Sequence, residues 1–383
     1  MTPLPTGPWV PLTGAAHRIA LEVLLDGPLS RAELARRVDL SAGSLTRLTK
    51  PLLDGGLLVE VDAPAAEQRL GRPSQPLDVV PAAHHFVGIK LTGDTAHGVL
   101  TTLRAEVVAV ADRPLPDDRP EAVADAVAEL ASELAGHAPD AVTAVGVSLG
   151  GHVVRAADVV RAPFLGWDDV PLAELVRDRT GLPVVVANDV TALTEATHWF
   201  GEGRGAATFA LVTIGAGVGF GLVAHHRLVT DDDSSLGLIG HHPLDPAGPP
   251  CPLGHRGCAS AMLTIPSITA QVSVALHRPV DYDEVLDLAV AGDPAARRVV
   301  DDAGFALGRL VAVAANFTMP ERIVLGGEGV RLAHDARDRV LAGLHADRDP
   351  AATDPPLALQ SPSFTEWARG AAVIAIQTFV LGR

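Results

Sequence analysis

Cysteine is nearly absent. Only Cys251 and Cys258 occur in the 383 residues, so no disulfide framework can brace the chain and the pair must be judged by its local chemistry. A reducing compartment suits that composition. Long apolar runs are missing too: no stretch approaches the ~20 uninterrupted apolar residues of a membrane span, and residues 1–10 carry neither a positive charge nor a signal-like apolar core. The expectation is a cytoplasmic protein with no membrane partner. Hydrophobic residues make up 48% of the chain and charged residues 20%, a globular balance with ample surface to bury. At this length a single core is improbable on scaling grounds, so two or three folding units are expected.

Positive charge is also scarce. A net charge of −16 argues against nucleic acid, because binding exchanges counterions for Lys and Arg on phosphates. The distribution changes that argument. Residues 1–80 hold eight basic groups against nine acids, so the segment is near neutral and almost all the negative excess lies further on.

Within that segment, Ile19, Val23 and Leu24 fall at helical spacing between His17 and Asp26, and Gly27-Pro28 stops the helix. Ser30 with Glu33 three residues on forms a capping box for a short helix burying Leu34 and Val38. Ser41 caps a third helix, with Leu45, Leu48 and Leu52 inward and Ser44, Thr46, Arg47 and Lys50 left for solvent or DNA. Gly55-Gly56 ends it. Strands over 57–61 and 76–80 then make a wing whose tip carries Arg69 and Arg72, placed to enter a minor groove or clamp phosphate. The expected contacts to double-stranded DNA are Ser41, Ser44, Thr46, Arg47 and Lys50 from the recognition helix and Arg69 and Arg72 from the wing. A generic three-helix bundle with a solvated charged loop is the plain alternative.

From His85 the pattern changes to α/β. Strands are expected over 86–91, 98–103, 107–110, 142–147 and 184–187, with a helix over 121–135. A further strand over 208–214 leads into the glycine-rich turn Gly215-Ala216-Gly217-Val218-Gly219. Two similar lobes are implied. Gly150-Gly151, after the 142–147 strand, either lets a ligand approach the backbone or makes a simple turn.

The wing arginines, Asn188-Asp189, the Gly215 turn, Gly240-His241 and the loop Cys251…Gly254…Gly257-Cys258 occur in that order. Together they make the chain resemble the ROK family of repressors and sugar kinases from about His17 onward. The resemblance implies a winged helix-turn-helix over 1–82 joined to a two-lobed ribonuclease-H-like (actin/hexokinase-type) domain over 83–383. It also implies a sugar or sugar-derived ligand bound by Gly150, Gly151, Asn188, Asp189 and His241, and a homodimer or tetramer.

Kinase chemistry needs a carboxylate base beside the sugar hydroxyl and loops that hold ATP phosphates with their metal. Asp189 matches the family's base and Asn188 its sugar-binding partner, although the pair also reads as a helix cap. The family's first phosphate loop, Asp-x-Gly-Gly-Thr, is here Lys90-Leu91-Thr92-Gly93-Asp94. An ammonium replaces a metal-orienting carboxylate and would draw the nearby Asp94, while Thr92 adds a side chain where backbone should meet phosphate. No ATP is therefore expected, no catalytic residue is assigned, and Asp189 is a vestigial base. The Gly215 turn and Leu325-Gly326-Gly327-Glu328 are equally explained by turn geometry and are given no ligand.

The family's two sugar-gripping glutamates are replaced by Leu238 and Ser260, which points to a less hydroxylated or differently substituted ligand. Its zinc site uses one His and three Cys. His241, Cys251 and Cys258 remain, and Leu253 replaces the third thiolate. Structural zinc is four-coordinate, so a fourth ligand must come from His255, His242 or water, or the loop holds its shape without metal. The leading expectation is a carbohydrate-responsive DNA-binding repressor. An active ATP-dependent sugar kinase, and a regulator with a vestigial pocket controlled by a protein partner, are the alternatives.

Overall fold

The structure is a computed structural model that describes residues 12–62, 75–138 and 142–382. Arg69 and Arg72 lie outside the described residues. The chain divides into two compact units, the first drawn from 12–149, 153–187 and 367–382, the second from 150–152 and 188–366. Among the described residues, no helix is long and apolar enough to cross a membrane.

The first unit opens with helices α1 (Gly14–Asp26), α2 (Arg31–Arg37) and α3 (Ala42–Asp54) and the antiparallel pair β1 (Leu58–Glu60) and β2 (Leu77–Val79). That is the element order of a winged helix-turn-helix. Ile19, Ala20, Val23 and Leu24 bury one face of α1, and Leu34 anchors α2. The Ser30 hydroxyl accepts from the Glu33 amide (3.2 Å), but the Glu33 carboxylate turns to Arg36 and Arg37, which hold it below the ordinary carboxyl range. Half of the expected capping box is thus spent on ion pairs. On α3 the buried positions are Leu45, Thr49 and Leu52, with Leu48 only half-buried. Thr49 can take an inward place because its hydroxyl donates back to the Thr46 carbonyl (3.3 Å).

The rest of the unit is a five-stranded sheet. Its strands are β3 (His85–Leu91), β4 (Thr95–Thr102), β5 (Val107–Pro114) and β6 (Val142–Leu149), with α4 (Pro120–Ala135) between the last two. A small three-stranded sheet, β7 (His152–Val154), β8 (Asp158–Ala162) and β9 (Trp167–Val170), and helix α5 (Leu172–Thr180) follow. Strand β10 (Val184–Asn188) closes the large sheet, whose order is β10-β6-β3-β4-β5. β5 extends well past the expected end at Val110, because an edge strand needs only alternate burial: it can carry Asp112 outward while half-buried Arg113, on the other face, pairs with Glu129 and Glu133 of α4.

The second unit repeats the plan. After α6 (Asp189–Phe200) come β11 (Phe209–Ile214), β12 (Val218–Ala224) and β13 (Arg227–Leu228). Helices α7 (Ala259–Leu263), α8 (Ile265–Leu276), α9 (Tyr282–Val290) and α10 (Pro294–Thr318) precede β14 (Arg322–Gly326). Helices α11 (Arg331–Asp335) and α12 (Arg337–Ala346) lead to β15 (Leu357–Leu359), and the sheet runs β13-β12-β11-β14-β15. Numbering each sheet's strands by chain order, both read 3-2-1-4-5. In each the first strand pairs antiparallel with the second and parallel with the fourth.

The last helix, α13 (Phe364–Phe379), belongs from Trp367 onward to the first unit. β3 is buried at all seven positions, which requires cover on both sheet faces. Val87, Ile89 and Leu91 join Val123, Val127 and Leu130 of α4 in one core. The alternate residues face α13: a Cβ on Gly88 would fall on the Ala368 carbonyl, and one on Gly146 of β6 on the Ala371 carbonyl. Helix and sheet meet backbone to backbone, which only glycine allows.

Gly146→Ala should therefore destabilise the first unit by about 3 kcal/mol through overpacking. Gly43→Ala, in open space on α3, should stay within about 1 kcal/mol of the parent. Thermal or urea unfolding checks this, and equal effects of the two changes would contradict the packing account.

Candidate functional site

Helix α3 begins at Ser41, whose hydroxyl oxygen accepts the Ser44 amide (3.2 Å) while its proton goes to Ser44 Oγ (3.0 Å). The Thr46 hydroxyl donates to the Ala42 carbonyl (2.9 Å). Ser41, Thr46, Arg47 and Lys50 are exposed and Ser44 is half-buried, so all five expected helix positions lie on accessible surface. Cations of α2 are committed elsewhere: Arg37 spans Glu22, Asp26 and Glu33. Such cross-links fix α2 against α1, while α3 presents Arg47 and Lys50 as exposed basic groups.

In the second unit, Asn188 does two things at once. Its Oδ1 accepts the amides of Val190 (3.0 Å) and Thr191 (3.1 Å), capping α6, and its Nδ2 donates to the Gly151 carbonyl (3.0 Å). Asp189 Oδ1 accepts the Val190 amide (2.8 Å). Gly151, Asn188 and Asp189 are thus gathered, each half-buried. The cap and the site reading of Asn188 are compatible, since the cap uses the carbonyl and the Gly151 tie uses the amide nitrogen. His241 is placed in the cysteine loop instead.

The segment Lys90-Leu91-Thr92-Gly93-Asp94 closes as a hairpin turn between β3 and β4. Thr92 donates its amide to Thr95 O (2.9 Å), and its hydroxyl accepts from the Thr95 amide (3.1 Å) and reaches Asp94 Oδ1 (2.9 Å). Lys90 does not end at the turn. The pleat of β3 aims it at α13, where it is only 6% exposed with Nζ 5.2 Å from the centre of the Trp367 ring, a cation–π distance. In the second unit the Gly215 turn is filled by protein: Glu328 Oε1 accepts the Ala216 amide (2.7 Å), and the carboxylate lies where a Cβ on Gly215 would be.

The cysteine loop forms a compact cluster of donors. A tight turn, with the Cys251 amide on His255 O and the Gly254 amide on Cys251 O (both 2.8 Å), folds His255 back onto Cys251. Gly254 has φ +86°, a left-handed conformation that favours glycine. Cys251 Sγ is 3.8 Å from His241 Nδ1 and 3.7 Å from His255 Nδ1, and Cys258 Sγ is 3.8 Å from His241 Nδ1. All four donor atoms fall within 4.8 Å of one another. Tetrahedral bonds of usual length would set S···N separations at about 3.6 Å, so the set fits a two-thiolate, two-imidazole metal site. His255 joins the expected His241, Cys251 and Cys258, while Leu253 is exposed. Burial alone would raise the Cys251 thiol, but backbone hydrogen bonds from Leu253 and His255 hold it below the ordinary range. Burial pushes Cys258 up.

Two α/β sheets of identical strand order, each with a glycine turn, behind a three-helix module with a β-hairpin define a class: a kinase-like two-lobed scaffold with an added helix-turn-helix. The chain belongs to the ROK family, whose model matches residues 86–377. It is 29% identical over 330 residues to the DNA-binding transcriptional repressor Mlc of Escherichia coli, covering 82% of this chain and 80% of that one. It is also 32% identical over 273 residues to a glucokinase of Halalkalibacterium halodurans, covering 65% and 82%. Among solved structures, a ROK family transcriptional regulator described as a homolog of the E. coli Mlc protein superposes with a TM-score of 0.81, at 24% identity and 96% coverage of both chains.

Protein purified without chelator should carry one equivalent of divalent metal per chain by elemental analysis, and Cys258→Ser or His255→Ala should lose it and lower thermal stability. A metal content near zero in the parent would end the assignment.

Proposed function

We propose that this protein is a DNA-binding transcription repressor that responds to a sugar or sugar-derived ligand and has lost sugar kinase activity. The observation that carries the reading is the exposed face of α3, with Arg47 and Lys50 set on a capped, buried helix ahead of a kinase-like scaffold. Residues 1–82 act as the winged helix-turn-helix and 83–383 as the sensor. In that reading Ser41, Ser44 and Thr46 approach base edges, and Arg47, Lys50, Arg69 and Arg72 meet bases or phosphates of a double-stranded operator. A homodimer or tetramer in the cytoplasm presents two such modules to paired half-sites.

Loss of kinase chemistry is supported at both glycine turns. At the sequence position of the family's metal-orienting carboxylate stands Lys90, whose ammonium lies against Trp367, so that position offers a metal ion no carboxylate. Glu328 places a negative charge on the amide that a phosphate would use. The ligand site retains Gly150, Gly151, Asn188 and Asp189, and the structural metal at His241, Cys251, His255 and Cys258 is zinc, which prefers such mixed thiolate and imidazole sets. His241 then serves the metal and only indirectly the ligand.

An active kinase is the second reading, favoured by the intact Asn188-Asp189 pair and the glucokinase relative. One pair of experiments separates them. Arg47→Ala should weaken binding to a duplex selected by the parent protein from a random pool by at least tenfold, without lowering the melting temperature. A coupled phosphorylation assay over hexoses and N-acetylhexosamines should show no turnover above an Asp189→Asn blank. Unchanged DNA affinity would contradict the recognition-helix assignment, and turnover above the blank would establish the kinase.

A further inference from the structure

Helix α1 ends without a cation of its own, since its last turn contains no basic residue. The carbonyls there, at the negative end of the helix dipole, therefore need donors from elsewhere. They come from Arg104, in the turn between β4 and β5. Its Nε donates to Leu24 O (3.0 Å), and Nη2 reaches Val23 O (3.2 Å), Gly27 O (3.2 Å) and Asp78 Oδ1 on β2 (2.5 Å). Asp78 and Arg104 side chains are 16% and 21% exposed, so the pair is largely shielded from solvent. Gly27 has no side chain because one would collide with Asp78 Oδ1 and crowd the guanidinium. One planar cation thus joins the end of α1, the loop after it and the wing strand to the large sheet.

The turn that carries Arg104 is itself held. Ala105 sits at φ +54°, an unfavoured region for a residue with a Cβ, and its amide donates to Thr102 O (2.9 Å). The Thr102 hydroxyl oxygen accepts from the amides of Arg104 and Glu106 (both 3.3 Å). From the other side, Arg369 Nε of α13 donates to Ala105 O (3.0 Å). Near its start, α1 is tied again to the C-terminal segment, where His17 Nδ1 donates to Leu381 O (2.6 Å).

Resting on the DNA-binding reading above, we infer that Arg104 is a positioning residue for DNA recognition: it fixes the reading module on the sensor scaffold and, through Arg369, makes α13 the element that sets the module's orientation. Arg104 does not meet DNA. Its role is to remove the freedom that α1 and β2 would otherwise lose on binding. This separates it from Arg47 and Lys50, whose charges count in the salt dependence.

The test uses full-length parent, Arg104→Ala and Asp78→Asn, with a duplex selected by the parent from a random pool. Amide exchange should rise at least tenfold for residues 24–27 and 77–79 in Arg104→Ala and stay unchanged in α4 and β3. Affinity for the duplex should fall about tenfold, with the slope of log affinity against log salt unchanged. A slope flatter by about one contact would make Arg104 a phosphate ligand and overturn the positioning role. Unchanged exchange and affinity would overturn it as well. Asp78→Asn, which keeps the carbonyl bonds, should move exchange and affinity the same way by a smaller factor, and it carries the test if Arg104→Ala fails to fold; no change in it would then count against the proposal. If the parent selects no duplex, the DNA-binding reading fails, while the exchange measurement still decides whether Arg104 holds the module.

Discussion

The missing side chains of Gly88 and Gly146 set the terms for much of the first unit. Because nothing projects from β3 and β6 at those points, α13 lies directly on the sheet with its Ala368 and Ala371 carbonyls where Cβ atoms would be. Three dependencies follow from that seat. It places Trp367 over Lys90, brings Arg369 to the turn that carries Arg104, and leads into the segment whose Leu381 carbonyl accepts from His17. The second unit uses the same device between α10 and α12, where a Cβ on Gly308 would fall on the Val340 carbonyl and one on Gly343 on the Phe305 carbonyl. Close backbone contact is a recurring solution in this chain, and it leaves little room for substitution at either helix.

The same packing explains how the scaffold accommodates Lys90 on a fully buried strand. Lys90 would be costly to bury alone, yet on β3 it points toward an aromatic ring supplied by a helix 277 positions later. Glu328 is accommodated by a backbone amide, and such an amide stabilises a carboxylate as it would a phosphate oxygen. Both charges are thus met by groups of the chain itself.

Local order was largely legible in the sequence. Ser30 and Ser41 mark their helix starts by side-chain chemistry that acts within three residues, and the strands of the first large sheet and β11 of the second follow from apolar runs; β12 begins inside the expected glycine turn, and β13 and β15 are only two and three residues long. Of the candidate site residues, Asn188, Asp189, His241, Cys251 and Cys258 were readable from motif order. What escaped depends on contacts that spacing cannot reveal. Thr49 looks polar but hides its hydroxyl in its own helix, and the outer half of β5 looks like a loop because an edge strand tolerates charge. His255 was one of several candidates until a four-residue turn laid it against Cys251. Arg104 and Asp78 are ordinary charges in the sequence, and only the fold brings them together across 26 residues.

The central claim is that one chain links duplex recognition to a carbohydrate-type ligand. Linkage requires a ligand with unequal affinity for two states to shift the other equilibrium by the same free energy. The direct measurement is fluorescence anisotropy of a labelled, parent-selected duplex titrated with the full-length protein, with and without millimolar hexoses, N-acetylhexosamines and their phosphates. At least one of these is predicted to lower duplex affinity tenfold or more, about 1.4 kcal/mol of coupling. Tight duplex binding that no member of the panel alters would contradict the account and point to control by a protein partner instead.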